Sequence, residues 1–206
     1  MNVLLINGSP HEKGCTYTAL SLIAGELNAA GIDTEILNVG TKPVGGCIGC
    51  GGCRSGNGCV FGGVVNEAIE KAKTADAFVF GSPVHYASAA GNMASFMDRL
   101  AYAGGKYLAY KPAAICCSAR RAGTTTTLDQ LVKYPEFFHM PLVSGSYWPM
   151  VHGSNPEQVL QDQEGCAVMR ELGRNMAWLL RCIEAGKAAG ISHPENPRRP
   201  MTNFIR

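Results

Sequence analysis

The sequence predicts an α/β protein in which a parallel β-sheet is covered by helices on both faces. Short apolar segments alternate along the chain with segments whose apolar residues recur at helical spacing, which is typical of parallel sheets built from strand–helix–strand units. The apolar segments are almost continuous, as expected for strands buried on both faces. Loops rich in Gly, Ser and Pro follow several strands, where such sheets bind ligands. We expect one domain over residues 1–191.

Three strands and three helices are predicted in the first half of the chain. The strands are Val3–Ile6, Thr34–Val39 and Ala77–Phe80. The helices carry apolar residues at three- and four-residue spacing, which places those residues on one helix face. Their apolar stripes are Leu20, Ile23, Ala24 and Leu27; Val65, Ala68, Ile69 and Ala72; and Met93, Phe96, Met97 and Leu100. Residues 40–63, which we call the cysteine loop, interrupt this pattern after the second strand.

Two further strands and two helices are predicted in the second half. The strands are Ala113–Cys117 and Leu142–Tyr147. A short helix is indicated by the apolar residues Leu128, Leu131 and Val132. A closing helix is indicated by six apolar residues at helical spacing: Met169, Leu172, Met176, Leu179, Leu180 and Ile183. Residues 192–206 contain three prolines and no apolar period, and therefore predict an extended arm.

The composition excludes several classes of protein. A formal net charge of +2 and the lack of a Lys/Arg run predict no strong attraction to nucleic acid. No apolar run reaches the roughly 18 residues of a membrane span, so no transmembrane helix is expected. The chain starts with its first core strand and has no basic segment before a cleavage site, so no signal peptide is expected. We therefore expect a cytoplasmic protein whose nine cysteines are thiols, metal ligands or redox groups.

The loop after the first strand has the properties of an anion site. It reads Asn7-Gly-Ser-Pro-His-Glu-Lys-Gly-Cys-Thr16 and opens a helix at Gly14-Cys15-Thr16. Backbone N–H groups and the positive end of the helix dipole would converge there, and Ser9 and Thr16 add hydroxyls. The glycine spacing matches neither the Rossmann fingerprint nor a Walker A loop. An ordinary strand-to-helix turn is the alternative. A terminal phosphate monoester, as in FMN, suits this loop best.

The loop after the third strand has the position and composition of a loop that faces a ligand. Pro83 stiffens it, and small residues from Ala87 onward would let the backbone approach a flat ring. His85 and Tyr86 offer a ring edge and a stacking face. An ordinary hydrogen-bonded loop histidine is the simpler interpretation of His85. We assign His85 to binding and no side chain to catalysis, because flavin chemistry is carried by the cofactor.

These two loops, Asn7–Thr16 and Gly81-Ser-Pro-Val-His-Tyr-Ala-Ser88, resemble the NADPH-dependent FMN reductase branch of the flavodoxin-like superfamily. The resemblance covers roughly the first two thirds of the chain. It implies a three-layer flavodoxin-like fold with strand order 2-1-3-4-5, FMN at the carboxyl ends of the strands, and NAD(P)H as a possible co-substrate. The implied FMN-binding residues are Ser9, His11, Gly14, Cys15, Thr16, Ser82, Pro83, Val84, His85, Tyr86, Ser118, Gly123 and Thr124.

By the same resemblance, the loop after the fourth strand is the third wall of the flavin site. It contains Ser118, Gly123 and Thr124, of which the last two are placed to reach the polar edge of the ring. Arg120 and Arg121 have two interpretations, as solvated surface charges or as contacts for the 2′-phosphate of NADPH.

The cysteine loop contains four thiols with the spacing C-x2-C-x2-C-x5-C, at Cys47, Cys50, Cys53 and Cys59. Compact spacing with intervening glycines suits thiolates around one iron–sulfur cluster. The loop also resembles the cluster-binding loop of iron–sulfur flavoproteins, a subgroup of the same superfamily, and predicts a 4Fe-4S cluster. Zinc fits this single run poorly, and an empty or thiol-redox loop is the second alternative. Four other cysteines are predicted to be small core residues: Cys116, Cys117, Cys166 and Cys182.

These observations predict an FMN-dependent oxidoreductase of the iron–sulfur flavoprotein type. Electrons would pass between NAD(P)H or a small-molecule or protein redox partner, FMN and the cluster. A plain NAD(P)H-dependent FMN or quinone reductase is the first alternative. A flavodoxin-like electron carrier is the second, and the near-neutral charge disfavours it, since such carriers are usually acidic. The cysteine loop has little apolar content to cover a cluster, so we expect a homodimer or homotetramer.

Overall fold

The centre of the fold is a parallel β-sheet, in a computed structural model that describes residues 1–196 and Thr202. In chain order the strands are β1 (Asn2–Asn7), β2 (Asp33–Asn38), β3 (Ala77–His85), β4 (Ser88–Ala89), β5 (Ala113–Ala119) and β6 (Met150–His152). Five of them form the parallel sheet in the order β2-β1-β3-β5-β6, while β4 pairs antiparallel with the end of β3. The predicted order 2-1-3-4-5 is confirmed, because the short β4 lies off this sheet and only raises the numbers of the last two strands by one.

Six helices surround the sheet in the described part of the chain. They are α1 (Cys15–Ala29), α2 (Val64–Thr74), α3 (Gly91–Gly104), α4 (Thr124–Phe137), α5 (Pro156–Gln161) and α6 (Gln163–Ala188). Single 3₁₀ turns occur at Gly52–Ser55 and Gly105–Tyr107. Within residues 1–196 and Thr202, no helix combines the length and apolar character that crossing a bilayer requires.

The sheet separates two apolar cores, as its continuous apolar strands predict. In β1, Val3 and Leu5 pack with α1 and α6, whereas Leu4 and Ile6 pack with α2 and α3. Successive side chains of a strand point to opposite faces, so a strand buried on both sides must be apolar at every position. The predicted apolar stripes of α1, α2 and α3 are buried against these two faces. The carboxyl ends of the strands therefore share one edge of the molecule.

The predicted position of the fifth strand is wrong. The strand lies at Met150–His152, and of the predicted segment only Leu142 forms a bridge, to Ala113. The Glu171 carboxylate accepts hydrogen bonds from the Ser146 backbone N–H at 2.8 Å and from the Ser146 hydroxyl at 2.6 Å. These bonds hold the middle of the segment against α6 and away from the sheet edge. The two predicted helices in this half exist and are longer than their stripes indicated.

One of the four cysteines assigned to the core is not there. Cys116, Cys117 and Cys166 are buried as predicted, and burial raises the pKa of Cys116 and raises that of Cys117 to about 12. Cys182 is exposed, because it lies on the outer face of α6. Residues 192–196 of the predicted arm have no helix or strand, and the His193 ring stacks on Tyr110 at 4.3 Å. Residues 197–201 and 203–206 lie outside the described part of the arm.

Candidate functional site

Three loops meet where β1, β3 and β5 end. The strand register places Asn7 beside Gly81 and Pro83 beside Ser118. The Gly8 backbone N–H continues the ladder by donating to the Gly81 carbonyl at 2.9 Å. The loops predicted to contact a phosphate and a flavin ring are therefore brought to one edge of the sheet.

Asn7 shapes the loop after β1. Its side-chain amide donates to the Glu12 carbonyl at 3.1 Å and to Asn38 Oδ1 at 2.8 Å, and its own Oδ1 accepts from the Ser9 backbone N–H at 3.2 Å. Ser9 Oγ in turn accepts from the His11 backbone N–H at 3.1 Å. Both Asn7 and Ser9 are buried, whereas His11 is exposed. The sequence pattern indicates only a turn residue at Asn7. A polar residue at the end of a buried apolar strand is nevertheless a signal that its side chain forms hydrogen bonds in the loop.

The amino end of α1 presents free backbone donors. Gly14 occupies the N-cap position without a side-chain cap, and no acidic residue lies in the first turn. In the described part of the chain, no acceptor is found for the N–H groups of Thr16 or Tyr17. Such groups, aligned with the helix dipole, attract an anion.

Two hydroxyls connect the first and third loops. Thr16 Oγ1 lies 2.8 Å from Ser118 Oγ, and the two residues are only 1% and 3% exposed. The neighbouring Cys15 directs its thiol at the Gly153 carbonyl, 3.5 Å away. Burial raises the pKa of Cys15, so this residue remains a thiol and does not compete with an anion for the helix end.

The second loop is a tight hairpin between β3 and β4. Tyr86 and Ala87 have φ values of 48° and 59°, so both central residues of the turn are left-handed. At its base, the buried Ser82 Oγ donates to the Pro83 carbonyl at 2.9 Å and accepts from the Ala90 N–H at 3.0 Å. The hairpin therefore projects from a fixed base and exposes the side chains of its tip.

The exposed side chains at this edge include His85 and Tyr86, the latter completely accessible. Pro83 and Val84 are half-buried. Arg120 and Arg121 are also exposed, and neither forms an ion pair within the described residues. Both interpretations of these arginines therefore stay open.

Gly123 brings the third loop against the hairpin. It has a φ of 93° at the N-cap of α4, and a Cβ placed there would lie 2.5 Å from Ala87 Cα. Any other residue would strain the backbone and push the hairpin away. Thr124, which begins α4, is buried. The second and third loops are therefore packed together through one glycine.

The four loop cysteines line one cavity of about 580 Å³. Cys47 and Cys50 are exposed, and Cys53 and Cys59 are half-buried. The opposite wall is the carboxyl half of α3, including Arg99 and Tyr102. All nine cysteines are free thiols. Among the residues described, no three His, Cys, Asp or Glu side chains are grouped closely enough to hold a metal ion.

Two asparagines fix the cysteine loop to α2 and α3. Asn92 donates to the carbonyls of Gly40 at 3.0 Å and Lys42 at 3.1 Å. Asn66 accepts from the Cys59 backbone N–H at 2.8 Å and donates to the Cys59 carbonyl at 3.0 Å. Neither asparagine was identified from the sequence, because a single polar residue in a helix carries no motif.

Arg99 is the third attachment of the loop, and it was also missed. The side chain is buried in α3, and its Nε donates to Cys59 Sγ at 3.2 Å. Its Nη1 and Nη2 donate to the carbonyls of Gly45 and Gly62 at 3.3 and 3.1 Å. The sequence does offer a signal for Arg99, which lies close to the apolar residues Phe96, Met97 and Leu100. Long charged residues are seldom buried without a partner, so this position indicates a partner for the guanidinium group.

Comparison with known sequences gives one family and several full-length relatives. The family model described as NADPH-dependent FMN reductase matches residues 1–155. An iron-sulfur flavoprotein of Methanocaldococcus jannaschii is 28% identical over 193 residues, covering 89% of this chain and 100% of that protein. An iron-sulfur flavoprotein of Archaeoglobus fulgidus is 29% identical over 196 residues, covering 91% and 96%.

Solved structures agree with the topology. An archaeal flavodoxin superposes with a TM-score of 0.60 at 14% identity, covering 88% of this chain and 99% of that one. An NAD(P)H:quinone oxidoreductase from Methanothermobacter marburgensis superposes with a TM-score of 0.65 at 18% identity, covering 85% and 96%. At these identities the likeness establishes the fold, which is flavodoxin-like as predicted.

Proposed function

Since the chain belongs to the NADPH-dependent FMN reductase family and is therefore an FMN oxidoreductase, we propose that it is of the iron–sulfur flavoprotein type. Electrons would pass between NAD(P)H or a redox partner, FMN and a 4Fe-4S cluster. The observation that carries this proposal is that Cys47, Cys50, Cys53 and Cys59 line one cavity against α3. The full-length similarity to two proteins named iron-sulfur flavoprotein supports it.

We place the FMN phosphate at the amino end of α1. The free N–H groups of Thr16 and Tyr17 supply donors, and the Ser9 and Thr16 hydroxyls lie close to them in the chain. The first turn contains no acidic side chain, so nothing there repels a phosphate. Gly14 and the backbone around His11 complete this part of the site.

We place the flavin ring against the surface that the hairpin and the third loop form together. The ring would contact backbone at Ser82, Pro83, Val84 and His85, with Tyr86 as a stacking face. Ser118, Gly123 and Thr124 form the other part of this surface, where a Cβ at Gly123 would lie 2.5 Å from Ala87 Cα. Bound FMN accepts a hydride and releases electrons singly. The protein residues orient it, and we assign none of them an acid or base role.

The cluster would be held by the four loop cysteines. Thiolates are the ligands that iron–sulfur clusters use, and the donor set therefore fits. Because the described thiols are not yet grouped for metal binding, the loop must draw together around the cluster. A bound cluster accepts and donates single electrons. Its role beside a flavin is to pass them to a one-electron partner.

Helix α3 connects the two proposed sites. The hairpin ends immediately before Gly91, where α3 begins, and the cysteine cavity lies against residues 98–103 of the same helix. At a rise of about 1.5 Å per residue, these points are about 10–18 Å apart along the helix axis. A rigid helix would keep that separation constant.

A second copy of the chain is proposed to cover the cysteine loop. Four apolar or aromatic side chains at the cavity are exposed: Ile48, Val60, Phe61 and Tyr102. Their burial between subunits would shield a cluster from water. Light scattering should give a dimer or tetramer, and a 21.9 kDa monomer would contradict this.

The free, exposed Cys47 and Cys50 thiols suit a reducing compartment, so we propose a cytoplasmic location.

Steady-state assays test the function directly. Anaerobically purified protein should oxidise NADH or NADPH with free FMN or quinone as the acceptor, and a one-electron acceptor should also be reduced. Cys50→Ala should lower the one-electron activity and leave the FMN or quinone activity in place, because the flavin loops lie elsewhere. If wild type and Cys50→Ala have equal one-electron activities, the chain is a plain reductase. No NAD(P)H oxidation by either protein would favour an electron carrier.

A further inference from the structure

Arg99 joins the two ends of the cysteine loop through one guanidinium group. Gly45 precedes the first loop cysteine and Gly62 follows the last, and the carbonyls of both accept from Arg99 at 3.3 and 3.1 Å. The side chain reaches them from α3, a helix held in the apolar core by Phe96 and Leu100. A single rigid residue therefore fixes where the loop leaves and rejoins the domain.

The third donor of Arg99 points at a proposed cluster ligand. Nε donates to Cys59 Sγ at 3.2 Å, and the guanidinium carbon lies 5.3 Å from the centre of the Phe61 ring. Arg99 also lines the cavity that the four cysteines share. Its charge is therefore directed into the space where a cluster would lie, rather than to solvent.

This charge has no carboxylate partner within residues 1–196 and Thr202. Arg99 is 6% exposed and belongs to none of the ion pairs there. The adjacent Asp98 is engaged elsewhere, accepting from the Tyr134 hydroxyl at 2.6 Å. Arginine stays protonated in proteins, and a buried cation is costly unless an anion compensates it. Carbonyls and one sulfur atom supply only part of that compensation.

We propose that Arg99 is a positioning residue with two effects. It closes the cysteine loop at its base, and it supplies the positive charge against which an anionic cluster is held. The charge effect rests on the proposed function, because it requires a cluster. The closure effect concerns the polypeptide alone. The two effects are therefore measured separately.

Hydrogen exchange on metal-free, FMN-loaded protein tests closure. In Arg99→Met, amides of residues 45–62 should exchange about 10- to 100-fold faster, the usual contribution of hydrogen bonds from a charged donor. Arg99→Lys should also exchange faster, because an ammonium lacks the fork that reaches both carbonyls. Arg54→Met is the matched control, since Arg54 lines the same cavity but is exposed. It should leave exchange unchanged.

Anaerobic reconstitution with iron and sulfide tests the charge effect. Arg99→Met should lose more than half of the iron that wild type binds, and the retained clusters should have a more negative midpoint potential. The reason is that removing a nearby positive charge disfavours the reduced, more negative cluster. Arg99→Lys should keep a potential closer to that of wild type. Arg54→Met should shift the potential less than Arg99→Met does, because water screens the charge of an exposed side chain.

The outcomes separate this inference from the proposed function. If the amides of residues 45–62 exchange at the wild-type rate in Arg99→Met, the closure effect is overturned. Wild-type potential and iron content in Arg99→Met would overturn the charge effect. Wild type that binds no iron would overturn the proposed function and the charge effect with it, while the exchange result still decides closure. If Arg99→Met loses its circular dichroism or FMN, Arg99→Lys gives the closure result, and the neutral but polar Arg99→Gln replaces Arg99→Met in the test of the charge effect.

Discussion

The three loops where β1, β3 and β5 end, at which we place FMN, are organised differently from the cysteine loop. Ser9, Ser82 and Ser118 are buried at or just beyond the ends of paired strands, and Thr16 is buried in the first turn of α1. The cysteine loop contains one 3₁₀ turn, and its first two cysteines are exposed. Strand pairing and side-chain hydrogen bonds at the strand ends position the three loops, whereas Asn66, Asn92 and Arg99 tether the cysteine loop. A loop of this kind is expected to gain its final order from the metal, because binding and folding are coupled at such sites.

Replacing one loop cysteine should have the largest effect. Cys53→Ala should remove most of the iron from anaerobically purified protein, since the proposed cluster uses all four thiolates. FMN content should stay at the wild-type level, because the strand-end loops do not depend on the cysteines. Iron and flavin assays on the same sample measure both. The control is Cys182→Ala, which removes an exposed thiol of α6. Equal iron loss in both variants would contradict the assignment.

The reverse experiment targets the phosphate loop. Thr16→Glu should weaken FMN binding by at least about 100-fold, since it adds a like charge and removes a hydroxyl. Iron content should change little. Because Thr16 is buried, Thr16→Val serves as an isosteric variant with an expected loss of about 2- to 10-fold. Thr18→Glu, two residues further along α1, is the control. Fluorescence titration of the apoprotein with FMN gives the affinities, and wild-type affinity in Thr16→Glu would show that the phosphate binds elsewhere.

The smallest of the three effects is expected at Gly123. Gly123→Ala should lower the free energy of unfolding by about 1–3 kcal/mol, because its left-handed backbone and the contact with Ala87 both disfavour a side chain. Gly25→Ala is the control, since Gly25 lies in α1 with no atom near the added methyl group. It should raise stability by about 0.5–1 kcal/mol. Urea unfolding of both variants measures the difference, and equal effects would contradict the tight packing of the hairpin.

The same contrast explains how much the sequence could predict. Four of the five sheet strands and the loops that follow β1, β3 and β5 are recognisable from the sequence, because continuous apolar runs and turn residues are local signals. The fifth strand was misplaced because Ser146 is held by Glu171, 25 residues away. Asn92 and Arg99 were missed for the same reason, since their partners Gly40 and Cys59 are 52 and 40 residues distant. A pattern within one segment carries no information about such contacts.

The central claim is that the cysteine loop holds one iron–sulfur cluster beside an FMN site that forms without it. Its most direct test is iron, acid-labile sulfide and FMN analysis of wild-type protein made and purified without air. Each chain should contain one FMN with about four iron and four sulfide, the content of the proposed 4Fe-4S cluster. FMN without iron or sulfide under these conditions would contradict it and leave a plain FMN reductase.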